Sequence, residues 1–191
     1  MRAVAVTILA YLLMGAFFAL ELLGRKPTRA RPIKAGPPTR GGTLLIGLAI
    51  TTSYLVSPLL NHWRVGRAPH LPFLPALGIL MMAAGLTLRR WALVTLGRFY
   101  TRRLGVFEGQ SVVQRGPYRI IRHPGYLATI LICLGLPLVL SNWLSAILVV
   151  ATLVAAYLIR IPAEEGMLLA AFGNEYRHYM AHTARLLPYV F

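Results

Sequence analysis

The chain has 191 residues, 57% hydrophobic and 13% charged, against roughly 25% charged in an ordinary soluble domain, and this balance excludes that class. Twenty Lys and Arg oppose five acids for a net charge of +15; cations confined to loops between apolar runs, without a nucleic-acid-binding motif, describe membrane-protein loops and not a nucleic-acid binder. The single cysteine, Cys133, lies inside an apolar run, which excludes an intrachain disulfide framework and a thiolate metal site.

The first apolar segment, residues 3–23, has the length needed to cross a bilayer core. It is long for a signal peptide and no small-residue cleavage site follows, so it reads as a mature span. Residues 24–42 are rich in Pro, Gly and cations (Arg25, Lys26, Arg29, Arg31, Lys34 and Arg40) and are expected to hold little fixed structure. Further spans are expected over residues 43–60 and 71–88. The stretch LGRFYTRRLGVFEGQSVVQRGPYRIIRHP (96–124) contains Gly-Pro turn signals and no apolar run, so it should lie over the membrane surface. The fourth and fifth spans, 126–140 and 143–159, are separated only by Ser141 and Asn142, which forces an antiparallel hairpin. Counted by loop, seventeen cations fall on one side and only Arg2, Arg64 and Arg67 on the other. The positive-inside rule therefore puts the N-terminus outside and the C-terminus in the cytoplasm. No internal repeat of the transporter kind is present.

Three elements meet on the cytoplasmic side: the linker 97–122, the start of the fourth span and the segment 160–188. Arg122, His123, Pro124 and Tyr126 stand at the start of the fourth span. Pro124 suits a first helical turn, and the unpaired N–H groups of that helix end, beside Arg122 and His123, suit an anionic or polar ligand. Equally, Arg122 could snorkel to lipid phosphate while His123 merely caps. In RIPAEEGMLLAAFGNEYRHYMAHTARLLP (160–188), Pro162 is expected to break or bend the fifth helix, with a second helix restarting there. Glu164, Glu165, Leu168, Leu169 and Phe172 recur at helical spacing on that segment, which makes it amphipathic. Acids in a first turn suit the helix dipole, yet these are two of only five acids in the chain. Tyr176 and Tyr179, one turn apart, are either interfacial anchors or walls of a pocket.

Together, GPYRIIRHPGY (116–126), the hairpin around SNW (141–143), RIPAEE (160–165) and FGNEYRHYMAHTARLLP (172–188) resemble the isoprenylcysteine carboxyl methyltransferases, small integral membrane enzymes that use S-adenosylmethionine. The resemblance covers roughly residues 85–191. Phospholipid N-methyltransferases share a related cofactor motif with a glutamate pair, but the terminal pattern fits the carboxyl enzymes better. The resemblance implies an all-α, polytopic membrane protein with five transmembrane helices and a C-terminal cytosolic amphipathic helix. Its organisation would be residues 1–96 with three spans and the basic loop 24–42, then a catalytic region, 97–191. That region comprises a linker 97–124, a hairpin 125–160 and a cofactor-binding helix and tail 161–191. No Rossmann-type glycine fingerprint is needed. The implied cofactor shell is Arg122, His123, Pro124, Tyr126, Leu127, Glu164, Glu165, Tyr176 and Tyr179.

Carboxylates suit the ammonium and ribose hydroxyls of that cofactor, and Arg122 with the helix N-terminus suits its carboxylate. The expected reaction is methyl transfer from a sulfonium to the carboxylate of a C-terminal prenylcysteine or a similar isoprenoid-bearing small molecule. A carboxylate is already deprotonated at neutral pH, so no general base is required; alignment and exclusion of water are. Arg160 at the membrane edge is the first candidate to orient the acceptor carboxylate, and Arg185 the second. The lipid-like prenylated partner would enter from the bilayer, with membrane lipid around it and neither metal nor nucleic acid involved. The alternatives are a methyltransferase for another lipophilic acceptor, such as a phospholipid amine or thiol, or a non-catalytic membrane cofactor-binding protein. Glu165→Gln is expected to weaken cofactor binding with little change in ligand-free stability.

Overall fold

A computed structural model describes residues 2–23, 32–35, 40–69, 71–100 and 105–187. Helix α1 (Arg2–Leu23) is apolar around its whole circumference, as a helix in lipid is. Its buried positions Ala10, Met14, Phe17 and Glu21 follow one another at spacings of four, three and four, a single stripe turned toward the bundle. Val4, Ile8, Leu12 and Leu22 face outward. Helices α2 (Arg40–Thr51) and α3 (Ser57–His62) are joined by a π turn, Thr52–Val56, into one rod. The π turn ends two residues before Pro58, whose missing N–H removes a ladder bond; the Thr52 carbonyl accepts both the Ser57 N–H and, at 3.0 Å, the Ser57 hydroxyl.

Helix α4 (Leu74–Leu96) runs two turns beyond the expected third span, so Arg89 and Arg90 lie on the helix. Helix α5 (Pro124–Val139) starts at Pro124 and turns at Ser141–Asn142 into α6 (Trp143–Phe172). The Asn142 side chain caps α6 by accepting from the Ser145 N–H at 3.0 Å, and donates across to the Val65 carbonyl at 2.8 Å. The hairpin expected here is thus formed, with residues 65–68 packed on its turn. Pro162 does not end the helix: α6 is continuous through it for 30 residues. Residues flanking a proline in a packed helix are held by their neighbours, and Arg160 and Ile161 are both buried. The break comes at Gly173, whose φ of +54° suits only glycine without cost, and α7 (Asn174–His182) follows.

Four helical stretches are long and apolar enough to cross a bilayer, Val4–Leu23, Arg40–His62, Leu74–Phe99 and Trp143–Phe172, while α5 is a shorter apolar helix. The protein is therefore a mostly helical membrane protein with four to five candidate spans. It is not wholly helical. Strand β1 (Pro32–Ala35) pairs antiparallel with β2 (Gly105–Phe107), with Lys34 opposite Val106, so part of the basic loop is ordered against the linker. Arg25, Lys26, Arg29, Arg31, Arg102 and Arg103 lie outside the described residues.

Helix α5 sits at the centre. One apolar cluster joins it to α1 and α4 through Met14, Phe17, Met82, Ile132 and Leu136. A second joins it to α2 and α6 through Ala49, Cys133, Val149, Leu153 and Tyr157. Cys133 is a packing residue, fully buried.

Candidate active site

The segment before α5 is tied to the chain's tail by backbone hydrogen bonds. Arg122 N–H donates to the Ala184 carbonyl at 2.8 Å, His123 N–H to Arg185 at 3.0 Å, and Ala184 N–H to Ile120 at 3.2 Å. This short parallel zipper carries Arg122 over α6. There its Nε donates to Glu165 Oε1 at 2.8 Å, while Nη1 reaches the carbonyls of Met180 (3.0 Å) and Thr183. The other Glu165 oxygen accepts from Arg185 Nε at 3.1 Å, and His123 Nε2 lies 3.4 Å from Oε1. Glu165 is thus a buried clamp between the α5 start and the tail.

Glu164, its neighbour, points elsewhere. Its Oε2 accepts the Tyr126 hydroxyl proton at 2.6 Å, and the same hydroxyl accepts from Arg160 Nε at 3.2 Å. Arg160 Nη1 donates to Thr43 Oγ1 at 2.7 Å, and its guanidinium carbon lies 5.9 Å from the Tyr126 ring centre. Tyr126 is stacked between His123 (5.3 Å) and Tyr157 (4.7 Å). A ladder of planar rings therefore holds the hydroxyl bridging Glu164 and Arg160.

A cavity of about 520 Å³ opens among these groups. One part of its wall is polar and aromatic: Arg122, His123, Tyr126, Arg160, Glu164 and Tyr176. Another part is apolar and comes from α1 and α2: Phe17, Phe18, Leu22, Ile46 and Ile50. Linker residues Gln110, Ser111, Val112 and Val113 complete it. Of the eleven sequence-level candidates, Arg122, His123, Pro124, Tyr126, Arg160, Glu164, Tyr176 and Tyr179 line this space. Leu127, Glu165 and Arg185 do not. Leu127 is half-buried on the helix behind, and the other two are occupied with each other.

Among the phenols outside the spans, burial raises Tyr118 and Tyr176 well above the ordinary range, reinforced by nearby Glu164 for both and by Glu165 for Tyr176. Burial likewise pushes Tyr179 up to about 12. All three are protonated donors at neutral pH, and Tyr179 uses its proton on the Tyr118 carbonyl at 2.7 Å.

A second cluster on the same wall escaped the sequence reading. Arg89 of α4 donates through Nε and Nη2 to Glu21 Oε1 of α1 at 2.8 and 2.6 Å. It also donates to the Tyr100 hydroxyl at 2.7 Å and to the Gly125 carbonyl at 2.8 Å, in the first turn of α5. One sequence signal could have found it: Glu21 is an acid inside an apolar span, where a charge is costly unless paired or used. Among the described residues, no buried polar side-chain atom lacks a hydrogen-bond partner, as a low-dielectric interior requires.

A profile of the isoprenylcysteine carboxyl methyltransferase (ICMT) family matches residues 77–170. A rice relative (Oryza sativa subsp. indica), named probable protein-S-isoprenylcysteine O-methyltransferase, is 31% identical over 143 residues, covering 74% of this chain and 70% of its own. Protein-S-isoprenylcysteine O-methyltransferase A of Arabidopsis thaliana is 30% identical over 150 residues, covering 77% and 72%. Among solved structures, the eukaryotic intramembrane Ras methyltransferase ICMT superposes with a TM-score of 0.57 at 24% identity. The match spans 75% of this chain and 52% of that one, and it shows a shared fold.

Proposed function

The chain belongs to the isoprenylcysteine carboxyl methyltransferase family, and from that premise we propose that it is a membrane-embedded, S-adenosylmethionine-dependent enzyme that methyl-esterifies the carboxylate of a C-terminal prenylcysteine or a similar isoprenoid-bearing small molecule. The observation that carries this reading is the two-sided wall of the cavity of about 520 Å³, polar and aromatic toward the α5 start and α6, apolar toward α1 and α2. A lipid-like acceptor with an anionic end needs both surfaces in one space.

The donor set fits the cofactor. Glu164 offers a carboxylate to an ammonium or to ribose hydroxyls, Arg122 and the N-terminus of α5 suit a carboxylate, and Tyr176 and Tyr179 supply aromatic surface. When bound, S-adenosylmethionine supplies a methyl group activated on a sulfonium. Glu165 serves the same shell indirectly, by holding Arg122, His123 and Arg185 in place.

Arg160 is the residue that orients the acceptor. Its Nε and Nη1 rest on hydroxyl oxygens of Tyr126 and Thr43, which fix its plane where its side chain lines the cavity. Arg185 lies off the cavity wall and is assigned to the tail. The acceptor carboxylate arrives deprotonated, so the chain's contributions are alignment and exclusion of water. The isoprenoid enters from the bilayer past the apolar residues of α1 and α2, with the N-terminus outside and the site cytoplasmic.

The test is turnover of purified protein with isotopically labelled cofactor and a panel of prenylcysteine analogues. Label recovered in a base-labile ester is the expected result. Label in an amine would move the enzyme to phospholipid acceptors, and cofactor binding without turnover of any analogue would refute catalysis.

A further inference from the structure

We infer that α2, through Thr43 and Gly42, sets the orientation of the Arg160 guanidinium, so that Thr43 is a positioning residue for recognition of the acceptor carboxylate. The inference rests on the reading of Arg160 given above. In the sequence, residues 40–43 are an unremarkable Arg-Gly-Gly-Thr at the start of an apolar run. In the fold Gly42 and Thr43 lie directly against α6, Thr43 meeting Arg160 117 positions further along the chain.

Two features of this contact act on Arg160 at different points. At the tip, Thr43 Oγ1 accepts from Nη1 at 2.7 Å, while Tyr126 holds Nε at 3.2 Å from the other side. A guanidinium is a rigid planar fork, so two acceptors on different nitrogens define its plane. At the stem, a Cβ on Gly42 would stand 2.5 Å from Arg160 Cγ, 3.2 Å from Cδ and 3.3 Å from the Ala156 carbonyl. The side chain passes through space that only a glycine leaves open. Gly41, one residue earlier, has nothing within 4 Å of the corresponding point. Adjacent glycines thus differ in kind: one is a packing necessity for Arg160 and the other faces open space.

Bidentate recognition of a carboxylate depends on the angle of the fork as well as on its charge. With Arg160 buried, the side chain has few other rotamers, and the Thr43 contact selects among those that remain. Removing the Thr43 hydroxyl leaves the charge in place but loosens its direction.

The experiment uses the full chain in detergent or nanodiscs, with an N-acetylated farnesylcysteine and its carboxamide as paired probes. Affinities for both probes and for S-adenosylmethionine are measured by calorimetry, and kcat and KM for the acid by ester formation. Thr43→Val should reduce the preference for acid over carboxamide about tenfold, the effect of one charge-assisted hydrogen bond. Thr43→Ser should restore it, Gly42→Ala should lose at least as much as Thr43→Val, and Gly41→Ala should match the parent. Cofactor affinity should stay unchanged throughout. If Arg160→Ala loses the acid preference while Thr43→Val and Gly42→Ala keep it, the positioning role is overturned and the reading of Arg160 stands. If Arg160→Ala itself keeps the preference, the reading of Arg160 fails, and the role of α2 with it. Should Gly42→Ala not fold, the near-isosteric Val and Ser variants of Thr43 decide the question.

Discussion

Replacing Glu165 with Gln asks whether this carboxylate holds the site together or touches the ligand. Its two oxygens accept from Arg122 Nε at 2.8 Å and Arg185 Nε at 3.1 Å, and its side chain is only 5% exposed. Glutamine keeps one carbonyl oxygen and turns an NH2 group toward one of two guanidinium groups. One-sided disruption of a buried ion pair costs roughly 3–5 kcal/mol. The retained acceptor puts this variant at the lower end, about 3 kcal/mol. For a chain of this length, each kcal/mol shifts Tm by about 2–4 °C, so a fall of roughly 6–12 °C is expected without ligand. Sequence reasoning alone leads to the opposite expectation, weakened cofactor binding at nearly constant stability. The difference arises because Glu165 lies behind the cavity wall, where it clamps Arg122 and Arg185. Thermal unfolding of the ligand-free protein, followed by calorimetric titration of the cofactor, separates the two. An unchanged ligand-free Tm together with weakened cofactor binding would refute the clamp.

Glu164→Gln should behave in the opposite way, because Glu164 lines the cavity and bonds Tyr126 across it. Calorimetry should show cofactor affinity reduced about tenfold, one charge-assisted hydrogen bond, with Tm nearly unchanged; parental affinity would remove Glu164 from the site. Glu21→Gln should destabilise by roughly 3 kcal/mol, since it strips the counter-charge from partly buried Arg89. Combining it with Arg89→Gln should recover part of that loss in denaturant unfolding, whereas strictly additive effects would deny the coupling. For pH, burial raises Tyr179 from 10.0 to about 12. A folded-state value above the unfolded one means this contribution is full below pH 10 and is lost as pH rises toward 12. Tyr179→Phe should flatten that part of the Tm profile, and an equally steep decline in the variant would reject the assignment.

Hydropathy and charge are local properties of a chain, and whatever depends on them was legible from composition and spacing. The membrane character, the α5–α6 hairpin and the start of a helix at Pro124 all follow from runs of fewer than thirty residues. The gathering of Arg122, His123 and Tyr126 with Glu164, Tyr176 and Tyr179 was legible as well, through a family pattern that spans their separation. Tertiary structure decided what distant elements do to one another. Glu164 and Glu165 look equivalent as neighbours, but successive residues on an α-helix project about 100° apart, so one faces the cavity and the other the tail. Pro162 reads as a helix breaker, yet packing around Arg160 and Ile161 carries α6 past it to Gly173. Glu21 meets Arg89 across 68 residues and Thr43 meets Arg160 across 117. Such pairs leave no periodic trace, because the low-dielectric interior demands only that each buried charge find a partner, not where in the chain that partner lies.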